Sequence, residues 1–331
     1  MSKNAILVDY NVDNSWDYKV AIEQDTGEKW DIIKCITNKY HGSKLKILKR
    51  YFMYFFFSFK VFIKRNKYHK LIAWQQFYGL ILAFFCRLFK VKKAPKIYIM
   101  TFIYKSKNKF YYKFMKYIVS SEYITKLVVF SDEEKTYYAK LFNIDEKLFY
   151  CSRLGVPDVS NKFKDKKNSH KYYLAVGRSN RDYTYLRNVW KEEYGELIII
   201  SDSYKEPAKK GITCLRNCYG DEYLQYVADC YAQIIPLEDE KISSGALCFL
   251  QAMMLSRPSI VTKNVTVEDY IDSGIDGLII EKTEAAFVKA IDYLENTENY
   301  SRMCECARKK YTEKYSEISL GKSIAHMLMC N

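Results

Sequence analysis

The chain has 331 residues and a hydrophobic content of 49%, which indicates a globular protein with room for two domains. Its net charge of +14 arises in the first half, because residues 1–164 hold 31 Lys and Arg but only 14 Asp and Glu. Residues 32–121 contain no acidic residue, and this composition predicts a basic face that meets an anionic partner.

The ten cysteines and four histidines do not form a metal-binding pattern. Cys214 lies close to Cys218, and Cys304 to Cys306, but neither pair has the second pair nearby that a structural zinc site requires. No secretory signal opens the chain, so we expect a reducing cytosol and free thiols. The sequence therefore predicts neither a metal nor another cofactor.

The first predicted strand, residues 5–10, is apolar and ends in a polar loop over residues 11–17. Ligands of open α/β sheets gather at the carboxyl ends of strands, so Asp9, Asp13 and Asp17 lie where an acceptor or a general base belongs. Asp13 is the candidate catalytic base. The alternative, which the local pattern favours, is that these carboxylates cap the next helix and face solvent.

After a predicted strand at residues 31–36, residues 43–70 form a helical pattern of unusual composition. Apolar residues recur at spacings of three and four from Leu45 to Phe62, while lysines fall on the other side. The all-apolar run of residues 51–59 is too short to cross roughly 30 Å of hydrocarbon. The pattern predicts a helix lying in an anionic membrane interface, and the alternative is a core helix with a solvated lysine face. The predicted membrane-contacting residues are Lys46, Lys49, Arg50, Phe52, Phe55, Phe59, Lys60 and Lys64.

The rest of the first half continues the alternation of strands and helices. Strands are predicted at residues 69–74, 96–101 and 125–130, and helices at residues 75–88, 109–118 and 131–142. The second of these helices carries Lys109, Lys113 and Lys116 along one face, which adds a second basic stripe. Residues 159–170 are polar and basic, and they are typical of an interdomain linker.

The second half alternates in the same way. Strands are predicted at residues 172–176, 197–201, 212–215, 234–237 and 259–261, and helices at residues 222–232, 284–296, 301–315 and from residue 316. A further helix, predicted to pack through Leu247, Leu250, Met253 and Met254, follows the small-residue turn at residues 243–245. The first N–H groups of a helix lack backbone partners, so this turn predicts an anion site that suits a diphosphate. The alternative is an ordinary βαβ unit with a serine N-cap.

Several motifs in this order and spacing also occur together in one enzyme family. They are Ser131 with Glu134, residues 155–158 (GVPD), residues 177–183 (GRSNRDY), residues 250–254 (LQAMM), residues 257–262 (RPSIVT), and Glu268 with Gly274 and Gly277. This series resembles the GT-B glycosyltransferases, in particular those of bacterial capsule, exopolysaccharide and lipopolysaccharide assembly. The resemblance implies an α/β fold with two Rossmann-like, doubly wound domains facing a central cleft.

The resemblance also implies what each domain does. Residues 1–160 would form a domain that faces the acceptor and the membrane. Residues 171–331 would form a domain that binds the nucleotide-sugar, and its last helix can cross back onto the N-terminal half, as in the family. In the family, the turn matching residues 177–183 covers the donor diphosphate. Arg178 and Arg181 would stabilise the charge that develops on the departing nucleoside diphosphate, which makes them candidate catalytic residues.

Two glutamates of the family pattern are replaced in this chain, by Ser243 and by Gln251. An amide can still hydrogen-bond the ribose hydroxyls, so Gln251 keeps that role by resemblance, and Glu240 would take over the missing sugar contact. The donor-binding residues predicted in this way are Gly177, Arg178, Arg181, Glu240, Ser243, Ser244, Gly245 and Gln251.

Three hypotheses follow. The first is a glycosyltransferase, with hexosyl transfer and a UDP-sugar favoured, that acts on a glycan or lipid-linked acceptor in surface polysaccharide synthesis. It would be cytoplasmic and peripheral at the inner face of the cell membrane. The second is an inactive GT-B-like membrane scaffold, which the loss of both glutamates suggests. The third is a basic nucleic-acid-binding protein, but the basic region is rich in lysine and lacks a nucleic-acid motif, so we expect no nucleic-acid partner.

Overall fold

The computed structural model describes residues 3–37, 43–105, 108–163, 171–205, 207–241 and 244–330. The chain divides into two compact units: Met1–Arg153 together with Ile318–Asn331, and Leu154–Glu317. Each unit is built around its own sheet of six strands. The predicted α/β class, with two doubly wound sheets, is confirmed.

The strands and helices follow one another as the sequence predicts in most places. The strands are β1 (Lys3–Val8), β2 (Trp30–Lys34), β3 (Tyr68–Ala73), β4 (Lys96–Ile99), β5 (Ile124–Val129), β6 (Phe149–Cys151), β7 (Tyr172–Val176), β8 (Glu196–Ile200), β9 (Ile212–Leu215), β10 (Ala232–Ile235), β11 (Ser259–Thr262) and β12 (Leu278–Ile280). The helices are α1 (Asp17–Thr26), α2 (Lys44–Ile63), α3 (Gln76–Leu88), α4 (Lys109–Val119), α5 (Asp132–Phe142), α6 (Tyr183–Val189), α7 (Gly220–Asp229), α8 (Ala246–Met254), α9 (Glu284–Glu295), α10 (Thr297–Lys310) and α11 (Glu317–Met329).

Both sheets are parallel throughout, but their strand orders differ. The first sheet has the order β2-β1-β3-β4-β5-β6. The second has the order β12-β11-β10-β7-β8-β9, which is the 3-2-1-4-5-6 order of dinucleotide-binding folds when its strands are counted from β7. In each sheet the central strands are continuous apolar runs, because helices cover both faces.

The core of the first unit lies on both sides of its sheet. Helices α2 to α5 cover one face, and α1 with α11 covers the other, where Leu320 and Ile324 pack near Ile6 and Val8. Gly321 permits this close approach of α11 to α1, since a Cβ there would lie 2.6 Å from the Tyr18 carbonyl oxygen. The last helix therefore belongs to the layer that buries the first sheet.

Local capping explains where several helices begin. The Ser131 hydroxyl accepts a hydrogen bond from Glu134 N–H at 3.1 Å, and the Glu134 carboxylate accepts one from Phe130 N–H at 3.2 Å. This reciprocal arrangement is close to a capping box, and it satisfies backbone donors at the start of α5. Ser43 and Asn108 cap α2 and α4 through their side chains in a similar way.

Among the residues described, no helix is both long and apolar enough to cross a membrane.

Some predicted boundaries are wrong. The helix predicted at residues 222–232 ends at Asp229, because Cys230 adopts an extended backbone and β10 already begins at Ala232. The helix predicted at residues 301–315 begins at Thr297 and ends at Lys310, followed by a single π-helical turn. Helix α6 and strand β12 were not predicted, since both are short and lack a clear apolar period.

The packing predicted for α8 also needs one correction. Leu247 does not pack in the core but lies 54% exposed in the first turn of the helix, while Phe249, Leu250, Met253 and Met254 are buried. The buried face is rotated by one position relative to the prediction, because β10 and the end of α10 approach the helix from that side. In the first turn of α8, Leu247 is consequently exposed, while Ala246 and Cys248 are half-buried.

Candidate functional site

The strand order of the second unit identifies where a ligand would bind. The order reverses between β7 and β10, which neighbour each other in the sheet although their connections leave on opposite sides. Such a switch point leaves a crevice at the carboxyl ends of the two strands. Here the crevice is bordered by residues 177–182 after β7 and, among the residues described, by 236–241 and 244–245 after β10.

The turn after β7 is shaped by Gly177 and Arg181. Gly177 has φ +119°, and a Cβ at this position would lie 2.9 Å from the Arg181 Nε atom. The Arg181 guanidinium lies over the glycine and donates to the carbonyl oxygens of Val176 (3.0 Å) and Ser179 (2.9 Å). Its third nitrogen reaches the Cys248 sulfur on α8 at 3.3 Å. Arg181 therefore braces the turn and joins it to α8.

Arg178 is placed differently. Its side chain is exposed, and within the described ranges no hydrogen-bond acceptor engages its guanidinium. Its charge acts on Asp202, whose carboxylate accepts hydrogen bonds from Asn217 N–H (2.9 Å) and from the Tyr219 hydroxyl. These two hydrogen bonds, with a smaller contribution from Arg178, lower the pKa of Asp202. Arg178 is thus a cation whose donors are available to an anionic ligand.

Asn180 connects the two loops of the crevice. Its backbone is in the left-handed region with φ +54°, a conformation that asparagine tolerates better than most residues. Its Nδ2 donates to the Ser244 hydroxyl (2.7 Å) and to the Asp239 carbonyl oxygen (3.0 Å). Its Oδ1 accepts from Asp239 N–H at 2.8 Å. The side chain of Asn180 therefore fixes the acidic loop and the serine before α8 in one arrangement.

The turn that precedes α8 presents backbone donors. Gly245 has φ +92°, and a Cβ there would lie 3.2 Å from the Ile235 side chain. The first intrahelical bond runs from Cys248 N–H to the Gly245 carbonyl oxygen at 2.9 Å, so the N–H groups of Ala246 and Leu247 precede the helical ladder. The N–H groups ahead of the helical ladder and the positive end of the helix dipole favour an anion here.

Ser244 is held from a second side as well. The buried Asn264 donates to the Ser244 carbonyl oxygen at 3.1 Å, and its own Oδ1 accepts from Val267 N–H at 2.8 Å. Ser243, which the sequence places in the same turn, lies outside the described residues. The structure therefore brings Gly177, Arg181, Ser244 and Gly245 into one connected turn assembly through hydrogen bonds made by Arg181, Asn180 and Asn264.

Gln251 lies in the second turn of α8 and is half-buried. Its Oε1 accepts a hydrogen bond from the Tyr223 hydroxyl of α7 at 2.9 Å. Desolvation raises the pKa of Tyr223 well above its usual value, so the hydroxyl stays protonated and remains a donor. This contact orients the side-chain amide and leaves its Nε2 as the group free to donate elsewhere.

Glu240 lies on the exposed loop between β10 and α8. Its carbonyl oxygen accepts from Val265 N–H at 2.9 Å, which anchors the backbone while the carboxylate stays in solvent. The carboxylate borders a cavity of about 390 Å³ at the ends of β10, β11 and β12. Lys263 and Lys282 line the same cavity, and Lys282 pairs with Asp182 at 3.1 Å. The cavity is polar and carries charges of both signs.

Asp13 belongs to the first unit and lies in the exposed loop after β1. Its carboxylate accepts hydrogen bonds from the hydroxyl and the N–H of Ser15, and these lower its pKa. A carboxylate with a lowered pKa is a weaker base. Asp9 lies nearer the end of β1 and accepts a hydrogen bond from the Gln75 side-chain amide at 3.1 Å. Gln75 follows β3, so this contact marks the switch point of the first sheet.

The sequence prediction omitted three side chains of the second unit that contact or act on predicted site residues: Asn180, Tyr223 and Asp202. The only local signal for Asn180 was its place in a turn after glycine and arginine, where asparagine is tolerated in the left-handed region. The other two act through partners on different elements. Among the described residues, no three or more His, Cys, Asp and Glu side chains are grouped so that they could hold a metal ion.

Sequence comparison identifies no relative, since no family model and no curated protein matches the chain. Solved structures do match over the full length. A glycosyltransferase from Rickettsia africae has a TM-score of 0.68 at 14% identity, and the match covers 100% of this chain and 99% of that one. HepE from Anabaena, solved in complex with UDP-glucose, has a TM-score of 0.68 at 10% identity and 100% coverage of both chains.

A third match is the apo form of the lipopolysaccharide outer core galactosyltransferase WaaB. Its TM-score is 0.61 at 12% identity, covering 100% of this chain and 99% of that chain. At such identities the likeness concerns the course of the backbone. Together with the two parallel six-stranded sheets, these matches confirm the predicted architecture: the chain has the GT-B fold of these glycosyltransferases.

Proposed function

We propose that the protein is a glycosyltransferase that moves a sugar, with a hexose favoured, from a UDP-sugar to a glycan or lipid-linked acceptor in surface polysaccharide synthesis. The observation that carries the proposal is the pair of turns at the β7–β10 switch point. Arg178 is exposed on the turn after β7, and Gly245 with the first turn of α8 follows β10. This combination of donors suits the diphosphate of a nucleotide-sugar.

In the proposed reaction, the bond between the sugar and the β-phosphate breaks and negative charge develops on the departing UDP. Arg178, which is exposed, would donate to these oxygens, together with the N–H groups of Ala246 and Leu247. Arg181 contributes its charge at short range, while its hydrogen bonds hold the turn in shape. These cationic and dipolar groups would neutralise the diphosphate without a metal, so we expect transfer to persist in EDTA.

The other donor contacts are proposed from position. Gln251, oriented by Tyr223, would hydrogen-bond the ribose hydroxyls, and Glu240 beside its cavity would contact the transferred sugar. Support for UDP as the nucleotide comes from HepE, whose structure holds UDP-glucose. Support for the polysaccharide pathway comes from WaaB, a lipopolysaccharide outer core galactosyltransferase of the same fold.

The inactive scaffold remains the second candidate because Gln251 and Ser243 replace two carboxylates of the family pattern. Nucleotide binding separates the two functions. The melting temperature should rise with each uracil nucleotide: UDP, UDP-glucose, UDP-galactose and UDP-N-acetylglucosamine. GDP-mannose and CMP-sialic acid, which carry other bases, are the controls. A hundredfold excess over Kd corresponds to about 2.7 kcal/mol of stabilisation. If no nucleotide shifts the melting temperature, the scaffold function is favoured and the transferase proposal fails.

A further inference from the structure

Helix α2 exposes apolar side chains along its whole length. Leu45 is 80% exposed, Phe52 is 68% exposed and Ile63 is 61% exposed. The spacing of three and four residues places all members on one side of the helix. We call this surface the α2 face, and its residues are Leu45, Leu48, Phe52, Phe56, Phe59 and Ile63.

The opposite side of α2 explains why this surface is not the core. Tyr54, Phe57, Val61 and Phe62 are buried and pack against α3 and the first sheet. The helix thus has enough apolar residues to fill the core and to cover its outer side as well. Such a contiguous exposed patch on a globular protein marks an interaction site.

The apolar surface continues onto the neighbouring helix α3. The Phe59 ring lies 5.2 Å from the Phe85 ring, and Phe62 stacks on Phe89 at 5.3 Å. Leu88 and Phe89, at the end of α3, are themselves more than half exposed. The patch therefore spans two packed helices, and its shape is fixed by ring contacts between them.

The elements that form this patch carry only positive charges. Residues 32–121 supply α2, α3 and α4, and they contain 21 Lys and Arg but no Asp or Glu. Lys46, Lys60 and Lys64 are exposed on α2 or directly after it, and the Lys60 ammonium lies 4.3 Å above the Phe56 ring. Long lysine side chains can extend past the aromatic surface and present their ammonium groups to phosphates.

We infer that the α2 face docks on the surface of an anionic phospholipid bilayer, with the helix parallel to the membrane plane. The apolar side chains enter the region between headgroups and acyl chains, and the lysines pair with lipid phosphates. A second copy of the chain fits less well, because pairing two such faces would bring their lysines together and residues 32–121 supply no acidic partner for them. The inference goes beyond the proposed function, since it depends on the first unit and not on the nucleotide.

The structure shows which of the residues predicted to contact a membrane are exposed on α2. Phe52 and Phe59 lie on the α2 face as predicted, and Phe55 is exposed beside it, with its ring 6.4 Å from Phe85. Phe56, which the sequence pattern did not single out, is 51% exposed and lies near the centre of the face. Arg50 is half-buried and lies 5.9 Å from the Tyr51 ring.

Flotation of the full-length protein with vesicles tests the inference. Vesicles of phosphatidylcholine mixed with phosphatidylglycerol should carry the protein, and vesicles of phosphatidylcholine alone should carry at least tenfold less. The double substitution Phe52→Ser and Phe56→Ser should lower binding to the mixed vesicles at least tenfold. Tyr137→Ser is the matched control, because this aromatic residue on α5 is 59% exposed but lies outside the patch.

Charge is tested separately. Lys46→Glu with Lys60→Glu should reduce binding at least tenfold, whereas Lys289→Glu with Lys309→Glu, two exposed lysines of the second unit, should change it less than threefold. Equal binding to neutral vesicles, or equal losses in the control pairs, would overturn the inference. A change in oligomeric state with no change in flotation would assign the face to a second copy instead. An unchanged melting temperature and circular dichroism spectrum of every variant would verify folding and keep this test separate from the donor site.

Discussion

The two units have the same kind of sheet but opposite chemistry at their switch points. In the second unit the reversal between β7 and β10 is bordered by arginine, two left-handed glycines and a helix N-terminus. In the first unit the reversal between β1 and β3 is bordered by the carboxylate of Asp9 and the amide of Gln75. One sheet edge is thus suited to an anion, and the other is not. The architecture sets where a ligand binds, while the loops set which ligand it is.

Aromatic residues make the contrast stronger. The Trp16 and Trp74 rings lie 4.8 Å apart beside the first switch point, and Tyr10 contacts both. Trp16 is only 7% exposed, so these rings pack as core beside the end of the sheet and do not form a cradle of N–H donors for phosphate. This difference supports assigning the proposed anion site to the second unit.

Removal of Arg178 should have the largest effect on this comparison. Arg178→Ala should lower kcat/KM for a UDP-sugar at least about 100-fold, because an electrostatic donor to the leaving group is lost. Steady-state kinetics with the best donor from the nucleotide screen measures the effect. The matched control is Arg302→Ala, an exposed arginine on α10, which should change the rate less than twofold. Equal losses in both variants would remove Arg178 from the site.

Loosening the turn should have a smaller effect than removing the charge. Asn180→Asp keeps the acceptor for Asp239 N–H but loses both donors, including the one to Ser244. We expect KM for the donor to rise about tenfold with a smaller change in kcat, and the free energy of unfolding to fall by about 1 kcal/mol. Kinetics and urea denaturation report the two effects. Asn180→Gly, which tolerates the left-handed backbone, separates the lost hydrogen bonds from strain.

The Tyr223 contact should matter less again. Tyr223→Phe removes the donor that orients Gln251, and the Kd for UDP should rise about fivefold, which corresponds to roughly 1 kcal/mol. Isothermal titration calorimetry measures this directly. Gln251→Ala removes the side-chain amide altogether, so this variant should bind UDP at least as weakly as Tyr223→Phe. Unchanged binding of UDP by Gln251→Ala would contradict the proposed ribose contact.

The smallest effect on the transfer rate is expected from a substitution in the first unit, at Asp13. Asp13→Asn should change kcat less than twofold at neutral pH, because its carboxylate is exposed and the Ser15 hydrogen bonds lower its pKa. Asp9→Asn is the comparison variant, and it should have the larger effect since Asp9 lies at the switch point. A loss of activity confined to Asp13→Asn would instead support the predicted role of Asp13 as the catalytic base.

Most of the sheet and helix order could be predicted from sequence, because the central strands are short apolar runs bounded by polar turns. The capping pattern at Ser131 and the glycines at Gly177 and Gly245 also signalled the correct local structure. These features depend on neighbours within a few residues. The accuracy decreases where a short element, such as α6, is fixed by packing instead.

The candidate site was harder to predict for the same reason. Asn180 acts on partners 59 and 64 residues away, so no window of sequence contains the contact. Arg181 was expected to face the ligand, yet most of its donors serve the carbonyl oxygens of its own turn. Likewise, the exact register of α2 depends on which side meets α3, and that choice separates the buried Phe62 from the exposed Phe56.

The α2 face also determines how the free protein behaves in solution. At low ionic strength, the lysines around the patch repel those of neighbouring molecules and keep the apolar stripes apart. Added salt shortens the Debye length to about 10 Å at 0.1 M and weakens this repulsion, while the apolar attraction persists. Solubility should therefore decrease as salt rises, in contrast to basic proteins whose surfaces lack such a stripe. The same side chains would therefore limit the concentration at which the protein stays dissolved when no bilayer is present.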